Sequence, residues 1–456
     1  MMKRNKQVVK YILSDFLSAA VVWLLFNRLR YEEVAVYEGA ASFADYLTYA
    51  QVMKGQLFVP FFWVVLHYFS GYYNKPLGKS RLGELFTTFV TVVIGVVFIF
   101  FVVVLNDLPR SFHIYYELFF ALLGLQFFLT YIPRLMITLG GLRKIRSGEW
   151  AVNVLIVGGG EKAKEIAGDL SRLGYHIVGF VSEDDMEGLT DLTSMVASLN
   201  VNELVVALET EDEKRQTDIL YRLYPYGLPI KVLAGKISAL SQVKIKTIRG
   251  VPLVDITDNN MSEVERNIKL VMDKVLSLLV LILLSPMYLY IAWRVKRDSP
   301  GPVFFSQERI GYMGRPFNIY KFRTMYVDAE SGGPQLSSED DKRVTPFGHV
   351  LRKYRLDEFP QFWNVLKGDM SIVGPRPERK FFIDQIVKKA PYYYLLHNVK
   401  PGITSLGMVK YGYAGDVEKM IERLRYDVLY YENMSLALDI TILFYTVKTV
   451  LTGKGI

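Results

Sequence analysis

The sequence contains no cysteine among its 456 residues. That absence excludes a disulfide framework, thiolate catalysis and cysteine-ligated zinc or iron–sulfur sites. Charged side chains are also scarce, at 22% of the chain, whereas hydrophobic residues reach 51% and aromatic residues 14%. This balance excludes a disordered chain, and a formal charge of +8 on so apolar a chain is not typical of a nucleic-acid binder. The chemistry must therefore use oxygen and nitrogen side chains, and no nucleic-acid partner is expected.

Long apolar runs are concentrated in residues 1–141, where four segments approach the ~20 residues needed to cross a bilayer. The runs are Tyr11–Asn27, Gln56–Tyr73, Leu85–Leu105 and Ile114–Ile132. They predict a bundle of four transmembrane helices in a membrane protein that combines α and α/β parts. A core helix of a soluble protein is the alternative for any single run. The first run also resembles a signal-peptide core, but its length and Asp15 favour a retained anchor.

Basic residues predict the orientation of this bundle. With the N-terminus inside, the inner segments carry eleven: Lys3, Arg4, Lys6, Lys10, Lys75, Lys79, Arg81, Arg134, Arg143, Lys144 and Arg146. The outer loops then carry four: Arg28, Arg30, Lys54 and Arg110. Because cytoplasmic loops carry the excess of Lys and Arg, we expect the N-terminus and everything after residue 141 to be cytoplasmic.

Residues 142–257 have the pattern of a Rossmann-like, doubly wound domain. Short apolar strands are predicted at Asn153–Val157, Tyr175–Val181 and Asn202–Leu208. Between the first two strands, Gly158, Gly160 and Ala163 match the Ala-ended dinucleotide fingerprint, with acidic residues about 20 positions later. Such glycines let a helix N-terminus approach a pyrophosphate. A turn kept only for packing gives the same string, so a regulatory or oligomer-forming domain without nucleotide is the favoured interpretation.

A fifth apolar run, Val275–Trp293, is interrupted in its middle by Ser285 and Pro286. Proline removes a backbone donor and kinks a helix. Basic residues flank the run on both sides, so a plain crossing would place one cluster outside. We favour a re-entrant helix–break–helix that enters and leaves at the cytoplasmic face, in which the freed carbonyls need partners within the protein. A plain crossing is the alternative.

Residues 258–456 form the predicted C-terminal, mostly helical domain, and they carry cations among short β-like pieces. These pieces contain Gln307, Arg309, Lys321 and Arg323. Guanidinium and ammonium groups beside a membrane suit an anionic substrate such as a phosphate. The alternative is a basic face on anionic lipid headgroups.

The predicted helical stretch Thr345–Leu366 contains Arg352, Arg355, Asp357 and Glu358. Adjacent side chains point about 100° apart on a helix, so both carboxylates reach one site only at an end or a break, which Pro360 supplies. A solvated helix face is the alternative, but the neighbouring arginines favour a catalytic pair.

Two later segments of the C-terminal domain have patterns that suggest a function. Arg376 lies between Pro375 and Pro377 on a stiff backbone, which suits phosphate positioning, although a solvated turn is the alternative. The C-terminal tail, Val417–Leu451, has amphipathic helical periods that fit either a membrane surface or a packed core helix.

From Lys274 onward, five ordered segments carry a family resemblance. They are the Ser285-Pro286 break, Asp298–Pro302 (DSPGP), Lys321–Met325 (KFRTM), Arg355–Gln361 (RLDEFPQ) and Val373–Glu378 (VGPRPE). The chain resembles the bacterial sugar transferases, which are polyprenol-phosphate phosphoglycosyl transferases with a single re-entrant helix. With the preceding helices and Rossmann-like domain, it resembles the large form, the undecaprenyl-phosphate hexose-1-phosphate transferases that initiate exopolysaccharide, capsule or O-antigen synthesis.

The resemblance implies transfer of hexose-1-phosphate from a UDP-hexose, glucose or galactose, to undecaprenyl phosphate, with release of UMP. Asp357 would form a covalent phosphosugar intermediate, and Asp357 and Glu358 would bind Mg²⁺, or Glu358 would position the lipid phosphate. The phosphate-binding side chains would be Lys321, Arg323, Arg355 and Arg376, with Arg352 binding phosphate or bracing the carboxylates. The resemblance also implies a bacterial inner-membrane location, contact with membrane lipid and a homodimer.

Two rival functions remain open from the sequence. A membrane-anchored sugar-nucleotide dehydratase or epimerase would need a Tyr-x-x-x-Lys pair, which the sequence lacks. A non-enzymatic membrane scaffold would sense a nucleotide through Gly158–Ala163. The carboxylates and Arg376 argue against this second alternative.

Overall fold

The computed structural model describes residues 2–35, 40–76, 79–106, 111–188, 192–210, 212–233, 253–329, 333, 335 and 341–452. Arg110, one of the outer basic residues, lies outside these ranges. The chain forms two compact units. The first contains residues 1–152 and 173–176, and the second contains residues 153–172 and 177–456.

The first unit is helical. Its helices are α1 (Met2–Arg30), α2 (Phe43–Leu47), α3 (Ala50–Phe69), α4 (Arg81–Val102) and α5 (Phe112–Arg146), with a π-helical turn at Tyr31–Ala35 and a 3₁₀ turn at Val104–Asn106. Four helical segments in the described part of the chain are long and apolar enough to cross a membrane. They are Asn5–Glu33, Ala50–Phe69, Arg81–Val102 and Phe112–Ile145. The prediction of four long apolar helices, as a membrane protein requires, is therefore confirmed.

The second of these helices differs in its end from the predicted run, which continued to Tyr73. Helix α3 ends at Phe69 because Gly71 adopts a left-handed conformation, with φ of 75°. The Gly71 amide donates to the Tyr68 carbonyl at 3.0 Å and closes a turn. Glycine takes this conformation without a Cβ clash, so a local turn ends the helix although the sequence remains apolar.

The bundle combines an apolar core with a buried polar cluster. Aromatic and aliphatic side chains from the long helices pack together, including Trp23, Phe26, Trp63, Val92 and Leu118. Beside them, Arg134 of α5 forms a fully buried ion pair with Asp15 of α1 at 2.6 Å. Thr88 of α4 accepts a hydrogen bond from Arg134, so the pair joins three helices.

The second unit begins with a five-stranded sheet. Its strands are β1 (Val152–Val157), β2 (Tyr175–Val181), β3 (Glu203–Val206), β4 (Ile230–Leu233) and β5 (Leu253–Asp255), in the order β2-β1-β3-β4-β5. Strand β1 pairs in parallel with β3, and β3 with β4, whereas β5 is antiparallel at the edge. The intervening helices are α6 (Glu161–Arg172), α7 (Glu183–Gly188), α8 (Thr193–Ser198) and α9 (Glu213–Leu223). This part of the chain therefore combines helices with a mostly parallel sheet, as predicted for an α/β part.

The remaining elements of the second unit surround the candidate site. The helices are α10 (Glu263–Leu283), α11 (Ser285–Asp298), α12 (Pro346–Lys353), α13 (Gln361–Lys367), α14 (Lys380–Ile386), α15 (Leu406–Lys410), α16 (Val417–Glu432) and α17 (Leu436–Thr452). The strands are the antiparallel hairpin β6 (Phe304–Ile310) and β7 (Pro316–Phe322), and the parallel pair β8 (Ser371–Val373) and β9 (Gly402–Thr404). Short 3₁₀ turns lie at Tyr224–Tyr226, Tyr312–Gly314, Leu356–Glu358 and Pro391–Asn398.

Helices α10 and α11 are bent by 62° at the predicted break. Pro286 lies in the first turn of α11, where its missing N–H costs no helical hydrogen bond. The Ser285 hydroxyl donates to the Ile282 carbonyl at 2.8 Å, which satisfies a carbonyl that the break leaves free. The bend is therefore built by the two residues that the sequence singled out.

Candidate active site

The two adjacent carboxylates, Asp357 and Glu358, lie at a true backbone break, but the break precedes Pro360. Helix α12 ends at Lys353, and Arg355 adopts a left-handed conformation with φ of 53°. A short 3₁₀ turn then carries both carboxylates. The predicted continuous helix up to Pro360 is wrong, because the left-handed backbone of Arg355 interrupts it five residues earlier. Both carboxylates are buried on this turn.

Lys321 reaches both carboxylates from the hairpin. Its Nζ lies 2.8 Å from Glu358 Oε1 and 3.6 Å from Asp357 Oδ2. The contact with Glu358 is a charge-assisted hydrogen bond, whereas the contact with Asp357 is a longer ion pair. Within the described part of the chain, the Asp357 carboxylate receives no hydrogen bond. The two carboxylates therefore differ: one is held tightly and the other is available to a substrate.

Two arginines complete the cationic surroundings of Glu358. Arg376 Nη1 lies 3.6 Å from Glu358 Oε1, and Arg355 Nη1 lies 3.7 Å from Oε2. Burial opposes ionisation of Glu358, but Lys321, Arg376 and Arg355 outweigh it and lower the pKa of that carboxyl. Burial and the neighbouring Glu358 charge instead raise the pKa of Asp357, with Lys321 opposing them. The cations therefore stabilise Glu358 as an anion more strongly than Asp357.

A parallel strand pair fixes Arg376. The Gly374 amide donates to the Thr404 carbonyl at 3.0 Å, and the Gly402 amide donates to the Pro375 carbonyl at 2.9 Å. A Cβ at Gly374 would collide with the Lys400 carbonyl oxygen, so the close approach of the two segments requires glycine. These hydrogen bonds hold the backbone just before Arg376 against the neighbouring strand.

Helix α10 anchors β8, the strand that precedes Arg376, through buried polar groups. These contacts were not predicted from the sequence. Lys269 Nζ donates to the Val373 carbonyl at 2.9 Å and to Asp439 Oδ2 at 2.6 Å. Asp273 Oδ2 accepts from the Ser371 hydroxyl at 2.6 Å. These contacts tie the bent helix pair to the strand that precedes Arg376. The sequence signal that could have indicated these contacts is a lysine and an aspartate four residues apart inside a partly apolar helix.

Gln307 and Arg309 lie side by side on β6. Arg309 Nη2 donates to Gln307 Oε1 at 2.7 Å, and Arg309 Nη1 lies 3.4 Å from Glu378 Oε2. Burial lowers the pKa of Arg309 to about 10 while Glu378 opposes the shift, so the guanidinium stays charged at neutral pH. Glu378 is also bound by Arg423 of α16. The Glu378–Arg423 pair was not predicted, because α16 is distant in sequence.

Arg323 and Arg352 are directed elsewhere. Arg323 donates to the carbonyls of Pro300 and Ser299, the latter at 2.6 Å, and so binds the C-terminal end of α11. Arg352 Nε donates to the Thr324 hydroxyl at 3.0 Å. Both line the cavity beside the carboxylates. The structure therefore gives Arg323 a positioning contact in addition to the predicted phosphate role.

The carboxylates, Lys321 and the arginines open onto one cavity of about 330 Å³. Its lining includes polar and charged groups, among them Gln307, Arg309, Glu378, Arg379 and Arg423. It also includes apolar and aromatic residues, among them Pro302, Phe304, Phe305, Tyr326 and Val327. A cavity that combines carboxylates, cations and apolar side chains suits an anionic substrate that also carries an apolar part.

The donor set of the cavity fits a hard divalent cation only with help from a substrate. The described residues contain no group of three or more histidine, aspartate or glutamate side chains placed to share a metal ion. Asp357 and Glu358 supply two carboxylates, and Mg²⁺ is commonly bound by one or two carboxylates together with substrate phosphates. The residues therefore fit Mg²⁺ that arrives with a diphosphate.

The Gly-rich turn lies in the same unit but is occupied by a side chain of the protein itself. Glu209, after β3, accepts a hydrogen bond from the Glu161 amide at the N-terminus of α6, at 2.6 Å. Glu183 Oε1 in turn accepts from the Glu209 amide at 2.7 Å. A Cβ at Gly160 would collide with the Glu209 carboxylate, so Glu209 would have to move if this glycine were replaced. This carboxylate takes the place that a pyrophosphate would need.

The remaining residues of the Gly-rich turn serve packing. Gly158 has φ of 138°, and a Cβ there would collide with the Ala207 carbonyl oxygen. Ala163 is fully buried. Gly158, Gly160 and Ala163 thus have structural explanations within the protein, which favours the packing interpretation of the fingerprint.

Comparison with known proteins identifies the family. A family model described as bacterial sugar transferase matches residues 264–453. A UDP-glucose:undecaprenyl-phosphate glucose-1-phosphate transferase of Xanthomonas campestris pv. campestris is 33% identical over 66% of this chain and 67% of its own length. The chain belongs to the bacterial sugar transferase family.

Other bacterial sugar transferases match with different coverage. A UDP-N-acetylgalactosamine-undecaprenyl-phosphate N-acetylgalactosaminephosphotransferase of Aeromonas hydrophila is 46% identical over 41% of this chain and 44% of its own length. An undecaprenyl-phosphate galactose phosphotransferase of Salmonella typhimurium is 29% identical over 87% of this chain and 86% of its own length. The match spans less than two thirds of some relatives, including 62% of a Klebsiella pneumoniae glucose-1-phosphate transferase.

Proposed function

We propose that this protein transfers hexose-1-phosphate from a UDP-hexose to undecaprenyl phosphate and releases UMP. The relatives named above are undecaprenyl-phosphate sugar-phosphate transferases. The observation that carries the proposal is the contrast within the carboxylate pair. Glu358 takes the tight contact with Lys321, whereas Asp357 faces the cavity with a 3.6 Å ion pair and no hydrogen bond from the described residues.

In the proposed reaction, an Asp357 carboxylate oxygen attacks the β-phosphorus of the UDP-hexose. The bond between that phosphorus and the bridging oxygen breaks, and UMP leaves with the bridging oxygen. The sugar phosphate is then held on Asp357 as an acyl phosphate. A phosphate oxygen of undecaprenyl phosphate displaces the carboxylate, which forms the lipid diphosphate and restores Asp357.

The cations have separate positioning roles in this proposal. Lys321, Arg355 and Arg376 surround the carboxylates and would neutralise the phosphate oxygens as charge moves to the leaving group. Glu358 orients Lys321 through its 2.8 Å contact. Asp357 and Glu358 would hold Mg²⁺ together with the diphosphate, and the ion would supply charge neutralisation of the leaving UMP.

The membrane arrangement follows from the need to reach a lipid-anchored acceptor. We propose that α10 and α11 form a re-entrant pair, so that the domain before α10 and the segment after α11 both stay on the cytoplasmic side of a bacterial inner membrane. The 62° bend and the hydroxyl that caps the Ile282 carbonyl support this arrangement. We further propose a homodimer in contact with membrane lipid, in which the Rossmann-like sheet has a structural rather than a nucleotide-binding role.

The sugar is proposed only as a hexose, with glucose and galactose as the leading candidates. The named relatives act on glucose, galactose or N-acetylgalactosamine, so similarity to them does not select one. A panel of UDP-sugars assayed for UMP release with undecaprenyl phosphate and Mg²⁺ would identify the donor. EDTA is expected to abolish UMP release, and added Mg²⁺ is expected to restore it.

The proposed function is tested by comparing Asp357→Asn with Asp384→Asn. Asp384 is an exposed carboxylate on α14 that pairs with Lys380 at 2.9 Å, so it provides a matched control. Asp357→Asn is expected to abolish UMP release, whereas Asp384→Asn is expected to retain it. Substantial UMP release by Asp357→Asn would remove the nucleophile from the proposal.

A further inference from the structure

Phe305 occupies an exposed position beside the carboxylates. In the hairpin it lies directly opposite Lys321, the residue whose Nζ contacts Glu358. Directly opposed residues project from the same face of an antiparallel pair, with Cβ atoms about 5 Å apart. The Phe305 ring is therefore held on the cavity side of the hairpin, yet 41% of its surface is exposed. Phe305 and both carboxylates line the same cavity, so the exposed ring is open to a bound substrate.

Strand β6 changes from polar to apolar along this face. Alternate residues project to one side, so Arg309, Gln307 and Phe305 follow one another at intervals of roughly 6.8 Å. Arg309 is fixed by Glu378 and by Gln307, and all three line the cavity. The order along the strand places charge at one end and an open aromatic ring at the other. Lys321 lies at the apolar end, so the carboxylates sit where the two environments meet.

The apolar end continues toward the end of helix α11. Phe304 stacks on Phe322 with ring centroids 5.3 Å apart, and Phe322 packs against α11 through Tyr288. Val327, which is 70% exposed, lies against Gly301, just after α11 ends. Phe304, Phe305 and Val327 are all exposed and all line the cavity, and we call these three side chains the aromatic lip.

The outer face of α11 has the composition of a membrane–water interface. Tyr290 and Trp293 are exposed, and their rings lie 6.1 Å apart. Arg297 lies over the Trp293 ring at 5.0 Å, and Arg294 and Lys296 occupy the same last turns. Exposed tyrosine and tryptophan with basic residues mark the headgroup level of a bilayer. The aromatic lip thus lies at the end of a helix that would leave the membrane at that level.

We propose that the aromatic lip binds the first isoprene units of the polyprenyl phosphate acceptor, with Phe305 as the principal contact. The assignment rests on the proposed function. The acceptor carries a phosphate on an apolar chain, and the site offers Lys321 and Arg376 beside an apolar lip that leads to α11. The cationic end, with Gln307 and Arg309, is left for the sugar nucleotide, which has no apolar chain to bury.

The test separates the acceptor from the donor. Phe305→Ala is compared with Phe381→Ala, because Phe381 is 50% exposed on α14 and is not among the residues that line the cavity. UMP formed before acceptor is added reports the donor step, and turnover with undecaprenyl phosphate reports the acceptor step. Phe305→Ala is expected to raise the acceptor KM about tenfold, equivalent to about 1.4 kcal/mol of lost binding. The UMP burst of this variant and both steps of Phe381→Ala are expected to match the unchanged protein.

A second variant and a second acceptor guard against a folding defect. Val327→Ser alters a side chain exposed to 70% and is expected to raise the acceptor KM about threefold with a full UMP burst. In both variants, the KM for farnesyl phosphate is expected to rise by the same factor as the KM for undecaprenyl phosphate. The reason is that the aromatic lip contacts the isoprene units nearest the phosphate, which both acceptors share.

The outcomes distinguish this inference from the proposed function. An unchanged acceptor KM in both variants, with an intact burst, would overturn the inference alone. A loss of the UMP burst with unchanged acceptor KM would also overturn it, since the ring would then bind the donor base. Absence of UMP release by the unchanged protein would overturn the proposed function, and the inference with it.

Discussion

The protein contains two buried carboxylate sites with opposite designs. In the helical bundle, both Asp15 oxygens are bound by Arg134, at 2.7 and 2.6 Å, and Tyr73 adds a hydrogen bond at 2.7 Å. Both partners of that pair are 0% exposed. In the second unit, Asp357 opens onto a cavity and has an ion pair at 3.6 Å.

The difference shows how geometry separates a structural carboxylate from a chemical one. A fully buried carboxylate with both oxygens hydrogen-bonded is not accessible to a substrate, and removal of its cationic partner leaves an uncompensated charge. A carboxylate whose neighbour takes the tight contacts keeps an oxygen for reaction. Glu358 is the neighbour that takes the tight contact, since it receives the 2.8 Å contact from Lys321.

The largest effect is expected from breaking the bundle pair. Arg134→Met leaves the Asp15 charge buried without a partner, which typically costs about 3–5 kcal/mol of unfolding free energy. Thermal unfolding in detergent would measure the loss. The double variant Asp15→Leu with Arg134→Met is expected to recover most of the stability, because the Asp15 charge is then removed together with its partner. A single variant as stable as the unchanged protein would contradict the structural role.

The next effect is expected from Lys321→Met at the candidate site. Loss of one preorganised cation at a site of developing charge typically lowers turnover about 10²–10³-fold. The unfolding temperature is expected to fall less than in Arg134→Met, because Arg355 and Arg376 still lie near Glu358. Lys380→Met, on the exposed pair of α14, is the matched control. A Lys321→Met variant with full turnover would equate this site with an ordinary surface ion pair.

A smaller effect is expected from Arg323→Leu. Its guanidinium donates to the Ser299 and Pro300 carbonyls after α11, and hydrogen bonds of charged groups contribute about 1.5–3 kcal/mol each. Lower stability with a nearly unchanged KM for UDP-hexose is expected. A rise in that KM without loss of stability would instead assign Arg323 to phosphate binding.

The smallest effect is expected at the Gly-rich turn. Glu209→Ala removes the acceptor at the N-terminus of α6, and loss of such a cap costs about 1 kcal/mol. Turnover is expected to stay unchanged, as in the control Glu165→Ala on the exposed face of α6. A fall in turnover restricted to Glu209→Ala would show that the sheet takes part in activity.

The sequence predicted features that depend on local chemistry. Apolar length located four membrane helices, and Pro286 located the bend between α10 and α11. The structure also brings the predicted Lys321, Asp357, Glu358 and Arg376 together. In each case the signal lies within a short segment, such as a proline at a break or glycine before a fixed arginine.

The features that escaped prediction depend on partners distant in sequence. The Asp15–Arg134 pair joins the first and last long helices of the bundle. The Glu378–Arg423 pair joins the segment that follows β8 to helix α16. The left-handed backbone at Arg355 could not be predicted, because glycine and asparagine, the residues that usually adopt this conformation, are absent from that position. At the Gly-rich turn, the string cannot reveal that Glu209 arrives from beyond β3 to fill it.

The most direct test of the central claim is to locate the sugar phosphate on the protein. UDP-hexose labelled in the sugar would be incubated with the protein without acceptor, and the labelled peptide would be identified by mass spectrometry. The account predicts one phosphosugar on Asp357, discharged when undecaprenyl phosphate is added. Turnover to the lipid product with no label on the protein, or with label on another residue, would contradict it.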